Sequence, residues 1–167
     1  MTLHRILAVA FKGKPQNYIK IDDTVSRSAQ PQKADFLWLK QQGVTDIFNF
    51  RTMIKSGLDF DEQKEVESLG MKYHNIPSYT KNPNEKNIDR FLKEIDQVKS
   101  QGGKAHIHCK AGADRTGMYA FIYKAKEGIG STIDNVKEWI ELGHNKKLYP
   151  NLEDWTKKFV NYKFGIK

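Results

Sequence analysis

The stretch from residue 104 to residue 127 constrains the fold most, because it places the only cysteine of the chain between a strand and a helix. The apolar pattern predicts a short buried strand over residues 104–108 and a helix from 115 to about 127. Cys109 lies where the strand ends, and a tight loop joins it to the helix. Open α/β sheets bind ligands at this end of their strands, so the sequence predicts an α/β fold with its site at Cys109.

Glycine and proline residues divide the rest of the chain into further strands and helices. Strands are predicted over residues 44–50 and 71–76, and helices are predicted between Pro31 and Gly43, up to Gly70, over 85–100, from Ser131, and after Pro150. Strands that alternate with helices imply a layered α/β fold. We therefore expect a single domain over residues 1–167, with a central, mostly parallel sheet of four to five strands flanked by helices. Residues 1–23 are expected to be an N-terminal extension.

The helix over residues 85–100 has the clearest pattern, because its apolar residues repeat at the spacing of one buried face: Ile88, Phe91, Leu92, Ile95 and Val98. Ser131 and Asp134 form a predicted capping box at the start of a later helix. In the other helices the residues expected to face inward are Phe36, Leu37 and Leu39, then Phe60, Val66 and Leu69, then Ile133, Val136 and Ile140, and finally Trp155, Phe159 and Tyr162.

The charge of the chain favours anionic partners. There are 28 Lys and Arg residues against 20 Asp and Glu residues, which gives a net charge of +8. Such a charge attracts nucleic acid, membrane surfaces or phosphorylated molecules. The basic residues are scattered, and the densest groups are pairs such as Lys146 with Lys147, so we do not expect a nucleic-acid partner.

Two further features bear on the cellular setting. A single cysteine cannot form an intramolecular disulfide, which excludes a cross-linked secreted scaffold. The apolar run from Leu3 to Phe11 is far shorter than the ~20 residues of a membrane span. We identify neither an export signal nor a membrane anchor and expect a cytoplasmic monomer; a signal removed from a longer natural N-terminus is the alternative.

The loop after Cys109 has the composition of an anion site. If residues 110–115 curl around one point, their backbone N–H groups face inward, and the N-terminus of the next helix adds partial positive charge. Gly112 allows the backbone conformation that such a curl needs, and Arg115 offers a planar pair of donors matched to phosphate oxygens. The same field favours the thiolate of Cys109. A thiolate beside a bound phosphate can attack phosphorus and form a phosphocysteine, which water then hydrolyses.

This segment resembles the signature H-C-x-x-G-x-x-R-T-G of the cysteine-dependent phosphatases of the protein tyrosine phosphatase superfamily, which it matches at His108, Cys109, Gly112, Arg115, Thr116 and Gly117. A weaker similarity to small bacterial tyrosine and dual-specificity phosphatases extends over residues 24–160. The resemblance implies the fold of that superfamily, in its dual-specificity size.

The resemblance also assigns roles to individual residues. Cys109 would be the nucleophile, and Arg115 would bind phosphate and stabilise the transition state. The Thr116 hydroxyl would assist the departure of the sulfur, and His108 would help to keep the thiol ionised. The phosphate cradle would consist of Lys110, Ala111, Gly112, Ala113, Asp114 and Arg115.

The general acid is less clearly marked. Many members of the superfamily carry an aspartate on a mobile loop before the cysteine strand, but residues 77–84 of this chain contain no carboxylate. Asp114 resembles the aspartate of a C-x-x-G-x-D-R-T variant in which that residue is proposed as the acid. We expect Asp114 to protonate the leaving oxygen. The alternatives are that Asp114 only shapes the pocket, or that the acid is another carboxylate: Glu85, Asp89, Asp59 or Asp61.

Three functions remain open at this point. The first is hydrolysis of phosphotyrosine, with phosphoserine and phosphothreonine as further substrates, in proteins or peptides. The second is hydrolysis of inositol phosphates or phosphoinositides, because Lys110-Ala111-Gly112 resembles the lipid-directed branch of the superfamily, although Ala113 stands where that branch often has a second lysine. The third is a module that binds phosphate without turnover.

No cofactor and no metal are expected. His106, His108 and Cys109 could suggest a metal site, but three ligands in a tight corner lack a fourth. Arg51, at the end of a predicted strand, is either an ion-pair partner within the fold or part of the rim of the site.

Overall fold

A five-stranded sheet organises the described part of the chain, which is residues 13–167 of a computed structural model. The strands are β1 (Ile19–Lys20), β2 (Val25–Ser28), β3 (Asp46–Asn49), β4 (Lys72–Asn75) and β5 (Ala105–His108), in the order β1-β2-β5-β3-β4. β1 is antiparallel to β2, and all other pairings are parallel. The mostly parallel sheet predicted from the sequence is therefore confirmed. The apolar run from Leu3 to Phe11 lies outside the described residues.

Six helices surround this sheet within residues 13–167: α1 (Lys33–Gln41), α2 (Glu62–Ser68), α3 (Glu85–Ser100), α4 (Asp114–Glu127), α5 (Thr132–Glu141) and α6 (Leu152–Phe164). In this part of the chain, no helix is both long enough and apolar enough to cross a membrane. The predicted α/β fold with flanking helices is confirmed. Part of the segment predicted as an N-terminal extension, Ile19–Lys20, pairs with β2 and so belongs to the sheet.

The two faces of the sheet are covered by different helices. Successive strand residues point to opposite faces, and in β3 Ile47 packs with α1 and α2 while Phe48 packs with α3. The second face carries the larger cluster, which also includes residues of α4, α5 and α6. All five apolar residues predicted on the inner face of α3 are buried there.

The structure contradicts the prediction that four apolar or aromatic residues face inward. Leu37, Ile133, Ile140 and Tyr162 are 50%, 67%, 43% and 80% exposed. Leu37 follows the buried Phe36 directly, so it lies about 100° further around the helix. α5 turns Asn135 and Trp139 inward, and α6 buries a face that begins at Leu152 and leaves Tyr162 in solvent.

β2 escaped prediction because its sequence is polar, although all of its residues are buried. Two of its hydroxyls bond to the ring of His106 on β5: Ser26 Oγ lies 2.8 Å from Nδ1, and Ser28 Oγ lies 2.7 Å from Nε2. Burial, with a smaller contribution from His108, lowers the pKa of His106 well below its ordinary value. A neutral, fully bonded imidazole therefore joins β2 to the central strand, β5, close to Cys109.

The difference between Phe36 and Leu37 is testable, because the two residues are adjacent. Phe36→Ala removes a fully buried ring and should lower the free energy of unfolding by about 3 to 5 kcal/mol. Leu37→Ala alters a half-exposed side chain and should change it by about 0.5 kcal/mol or less. Denaturant unfolding of both variants measures this, and equal losses would contradict the orientation of α1.

Candidate active site

The loop between β5 and α4 is held against β2 by a close backbone contact. Gly112 has φ +71°, and a Cβ atom there would lie 2.5 Å from the Ala29 nitrogen and 2.6 Å from the Ser28 oxygen. Arg27 Nη2 donates a hydrogen bond of 2.7 Å to the Gly112 oxygen, and the Gln30 N–H donates one of 3.0 Å to the Lys110 oxygen. Only glycine combines this conformation with this approach.

The other side of the loop is held by α5. A Cβ atom on Gly117 would lie 2.0 Å from Trp139 Nε1, so the missing side chain makes room for the indole. The indole N–H donates to the Ala113 oxygen over 3.0 Å, and the Gly117 N–H donates to the same oxygen over 2.8 Å. The first turn of α4 is thereby fixed in position.

These contacts use the carbonyl oxygens of the loop and not its N–H groups. The carbonyl oxygens of Lys110, Gly112 and Ala113 all bond to groups of other elements or of α4. The backbone N–H groups of residues 110–115, in contrast, have no hydrogen-bond partner within residues 13–167. Free N–H groups in a curled loop at a helix N-terminus attract an anion. The phosphate cradle at residues 110–115 stays a prediction, and this geometry is compatible with it.

Cys109 lies at the centre of this arrangement and is 2% exposed. Behind it, His108 Nδ1 lies 3.1 Å from the Cys109 oxygen, and His108 Nε2 lies 2.6 Å from Glu62 Oε1. A carbonyl oxygen only accepts, so Nδ1 carries a proton, and the contact with Glu62 requires a second proton between Nε2 and Oε1. One proton on Nδ1 and one between Nε2 and Oε1 satisfy both contacts, so a buried, hydrogen-bonded pair of His108 and Glu62 lies directly behind the cysteine.

Glu62 is a site residue that the sequence interpretation missed. It is 4% exposed, and its second oxygen accepts hydrogen bonds from Gln30 Nε2 (2.8 Å) and Asn49 Nδ2 (3.2 Å). A signal was present, because Glu62 stands four residues before Val66 and seven before Leu69 and so shares their helix face. A carboxylate within an apolar face indicates a buried partner.

A cleft of about 440 Å³ opens above Cys109. Of the predicted site residues it is lined by Cys109, Lys110, Ala111, Asp114 and Arg115, whereas Gly112, Ala113, Thr116 and His108 lie behind its surface. The remaining wall consists of Thr52, Ser78, Tyr79, Thr80, Lys81 and Tyr149. The cleft is therefore lined by three cationic side chains, Lys81, Lys110 and Arg115, and by one carboxylate, Asp114.

The wall formed by residues 77–84 is fastened to the core at its first turn. The hydroxyls of Ser78 and Tyr119 lie 2.7 Å apart, and Asn87 Nδ2 donates to the Pro77 oxygen over 2.9 Å. The Tyr119 ring stacks on Phe50 with ring centroids 3.8 Å apart. Burial raises the pKa of Tyr119 to about 12, so its hydroxyl stays neutral.

The two arginines near the loop differ in environment. Arg115 lines the cleft, and its Nη1 donates to the Phe50 oxygen over 3.4 Å. Arg51 is 3% exposed and donates to Gln30 Oε1 over 2.6 Å and to the Ser56 oxygen. Burial lowers the pKa of Arg51, and the nearby Arg115 adds to this effect while Glu62 opposes it. These contacts favour a structural role for Arg51.

Asp114 is held by two donors on one oxygen. Its Oδ1 accepts from His144 Nδ1 over 2.7 Å and from the Asn145 N–H over 2.9 Å. His144 is buried and stacks on Trp139 at 4.5 Å between centroids. Both donors bind Oδ1, and Oδ2 accepts no hydrogen bond from residues 13–167. A histidine after a helix-ending glycine offers no sequence signal of this contact.

The other carboxylates considered as acids are placed elsewhere. Asp61 accepts from the Lys64 N–H at the start of α2, and exposed Asp89 pairs with Lys163 at 2.9 Å. Neither these residues nor Asp59 or Glu85 line the cleft. Thr116 Oγ1 is buried and has no hydrogen-bond partner among the described residues. Within residues 13–167, no group of three His, Cys, Asp or Glu residues is arranged to hold a metal ion.

Comparison with known proteins agrees with this geometry. Residues 23–128 match the family described as polymorphic toxin system, DSP-PTPase phosphatase. No curated protein matches the sequence.

Among solved structures, a DUF442 protein from Shewanella putrefaciens CN-32 superimposes with a TM-score of 0.76 and 24% identity, over 98% of this chain and 97% of that one. TpbA of P. aeruginosa superimposes with a TM-score of 0.70 and 16% identity, over 93% of this chain and 98% of that one, and another crystal structure of TpbA contains phosphotyrosine. The PP-IP phosphatase SIW14 of S. cerevisiae superimposes with a TM-score of 0.65 and 16% identity, over 88% of this chain and 85% of that one. Because all three sequence identities are below 25%, these similarities show only that the chain has the same fold as these proteins.

The close approach of Gly112 to β2 can be tested against a matched glycine. Gly112 (φ +71°) and Gly128 (φ +70°) share a backbone conformation, but a Cβ atom on Gly128 meets nothing within 4 Å. Each change to alanine costs about 1 to 2 kcal/mol in backbone energy. Gly112→Ala should in addition weaken the binding of inorganic phosphate at least tenfold, because it displaces the loop. Calorimetric titration with phosphate measures this, and equal affinities in the two variants would refute the predicted cradle.

Proposed function

The chain belongs to the DSP-PTPase phosphatase family of polymorphic toxin systems, and we propose that, as a phosphatase of the protein tyrosine phosphatase superfamily, it hydrolyses phosphotyrosine in proteins or peptides. Phosphoserine and phosphothreonine are further substrates under this proposal. The observation that carries it is the loop after Cys109, where three carbonyl oxygens bond to the surrounding fold and the N–H groups of residues 110–115 have no partner among residues 13–167. The aromatic walls of the cleft, Tyr79 and Tyr149, suit an aryl ester.

In the proposed first step, the phosphate group binds to the N–H groups of residues 110–115 and to the Arg115 guanidinium. Cys109 Sγ attacks phosphorus and forms an S–P bond as the P–O bond of the ester breaks. Arg115 and the loop dipoles stabilise the negative charge that accumulates on the equatorial oxygens. The leaving oxygen takes a proton from Asp114 Oδ2 and departs as a neutral hydroxyl.

In the proposed second step, water attacks phosphorus and the S–P bond breaks. Asp114, now a carboxylate, accepts a proton from the water, which restores the acid for the next turnover. The Thr116 hydroxyl, which has no partner among the described residues, donates a hydrogen bond to the departing sulfur. Inorganic phosphate leaves, and the thiolate of Cys109 is regenerated.

Two pairs of ionisable side chains hold the groups around Cys109 in position. His108 Nε2 lies 2.6 Å from Glu62 Oε1, and both side chains are buried. The N-terminus of α4, which begins at Asp114, adds partial positive charge on the cleft side of the loop. His144 and the Asn145 N–H support the acid in a different way, because they fix the direction of the Asp114 carboxyl group.

A second candidate function is hydrolysis of inositol phosphates. Lys81, Lys110 and Arg115 all line the cleft, and three cations could bind a polyanion with more than one phosphate. This alternative has the same chemistry and a different substrate class. A module that binds phosphate without turnover is the third candidate, and the presence of Cys109, Arg115 and Thr116 argues against it.

A turnover panel tests the proposal and ranks the candidates. We expect the highest kcat/KM for a phosphotyrosine peptide, lower values for a phosphoserine peptide, and lower values still for inositol polyphosphates, measured as released phosphate. Cys109→Ser should abolish turnover while it keeps affinity for inorganic phosphate, because the loop is unchanged. Activity in that variant would refute the nucleophile. Binding without any turnover in the unmodified protein would favour the phosphate-binding module.

The role of Asp114 predicts a dependence on the leaving group. Asp114→Asn should reduce turnover of phosphotyrosine by about 10² to 10⁴-fold, because tyrosine is a poor leaving group without a proton. The loss on para-nitrophenyl phosphate should be much smaller, because nitrophenolate departs without protonation. Asp89→Asn is the matched control, since Asp89 pairs with Lys163 and does not line the cleft. An equal loss on both substrates would contradict the assignment.

A further inference from the structure

A second groove adjoins the catalytic cleft and has a different character. It encloses about 280 Å³ between residues 80–83 and residues 148–155. Thr80, Lys81 and Tyr149 line both the cleft and the groove, so the two form one continuous surface. We call this region the flanking groove.

The flanking groove is lined mainly by apolar side chains. Pro83, Pro150, Leu152 and Trp155 contribute to it, together with Leu148, which is 53% exposed. Leu152 is buried and Trp155 is partly buried against the main core, so the floor of the groove is fixed. The catalytic steps use none of these side chains. An apolar groove that continues from the proposed catalytic cleft indicates a binding surface.

We propose that the flanking groove binds one apolar side chain of a substrate peptide, one or two residues from the phosphorylated residue. This inference rests on the proposed function. An extended peptide advances about 3.3 Å per residue, and the groove adjoins the cleft, so the side chain expected to enter it belongs to a residue one or two positions from the phosphorylated one. The shared wall makes this path continuous.

The size and charge of the groove identify its occupant. Pockets for drug-sized molecules enclose about 300 to 1,000 Å³, so 280 Å³ suits a single leucine or phenylalanine side chain. Inositol phosphates carry no apolar group that could fill it. Lys81 on the shared wall and Lys110 in the cleft disfavour a basic residue at the same substrate position.

The experiment uses the full chain and a set of phosphotyrosine peptides built on a glycine-serine background. Leucine, lysine or glycine is placed at one position at a time, among the two residues before and the two residues after the phosphotyrosine. We expect one position at which leucine raises kcat/KM about tenfold over glycine, because burial of a leucine side chain accounts for a factor of that size. Lysine at that position should give no increase.

A pair of variants assigns the preference to the groove. Leu148→Ala should reduce the leucine-to-glycine ratio of kcat/KM to about two or three, since it removes part of the groove wall. Leu37→Ala changes a leucine of similar exposure, 50% against 53%, on α1 outside the groove, and should keep the full ratio. Both side chains are exposed, so neither change threatens folding.

The outcomes separate this inference from the proposed function. Rapid turnover of all phosphotyrosine peptides without a preference for leucine, or a preference that Leu148→Ala does not alter, would overturn the flanking groove and leave the phosphatase proposal intact. Turnover of inositol polyphosphates without turnover of any peptide would overturn both. A dihexanoyl phosphoinositide that is hydrolysed faster than its headgroup, with the difference lost in Leu148→Ala, would assign the groove to an acyl chain and overturn the peptide assignment.

Discussion

The hydrogen bond from Arg27 to the Gly112 oxygen is the interaction on which the site depends most. It is made by a guanidinium that is 1% exposed and that has Glu138 at 3.6 Å as its ion-pair partner. Burial lowers the pKa of Arg27, with Glu138 opposing the effect. A buried cation is costly unless its partners are in place, so β2, the loop and α5 are stable together in one arrangement. That arrangement turns the loop carbonyls outward and leaves the N–H groups for a ligand.

Two ionisable pairs beside the loop are held by different parts of the fold. His108 with Glu62 lies behind the cysteine, on the side of β3 and α2, and His144 with Asp114 lies in front of it, on the side of α5. The first pair anchors the backbone at Cys109, and the second fixes the direction of a carboxyl group. The proposed nucleophile and the proposed acid are adjacent to one loop, yet separate parts of the fold hold them in position.

Much of this could be predicted because the relevant patterns are local. α3 has a single apolar face, β3 and β5 each follow a glycine at the end of the preceding helix, and the predicted loop chemistry lies within ten consecutive residues from His108 to Gly117. The errors lie where tertiary contacts decide. β2 can be both buried and polar because His106 forms hydrogen bonds with its serines. The orientation of α5 places Trp139 against Gly117, and it thereby leaves Ile133 and Ile140 exposed. Arg27 and His144 are distant in sequence from the loop they support, so no local pattern reveals them. The position of Glu62 on an apolar helix face indicates a buried partner but does not identify that partner as His108.

The parallel pairing of β2 with β5 has a kinetic consequence. The contacts that shape the loop from β2 join residues 78 to 85 positions apart in the chain. Closing so long a loop is slow compared with helix formation, because the entropy must be lost before the contacts form. The helices of this chain can form early from local contacts, whereas the contacts between β2 and the loop need the first and third quarters of the sequence to meet. We therefore expect these contacts to form late in folding, after most of the helix content.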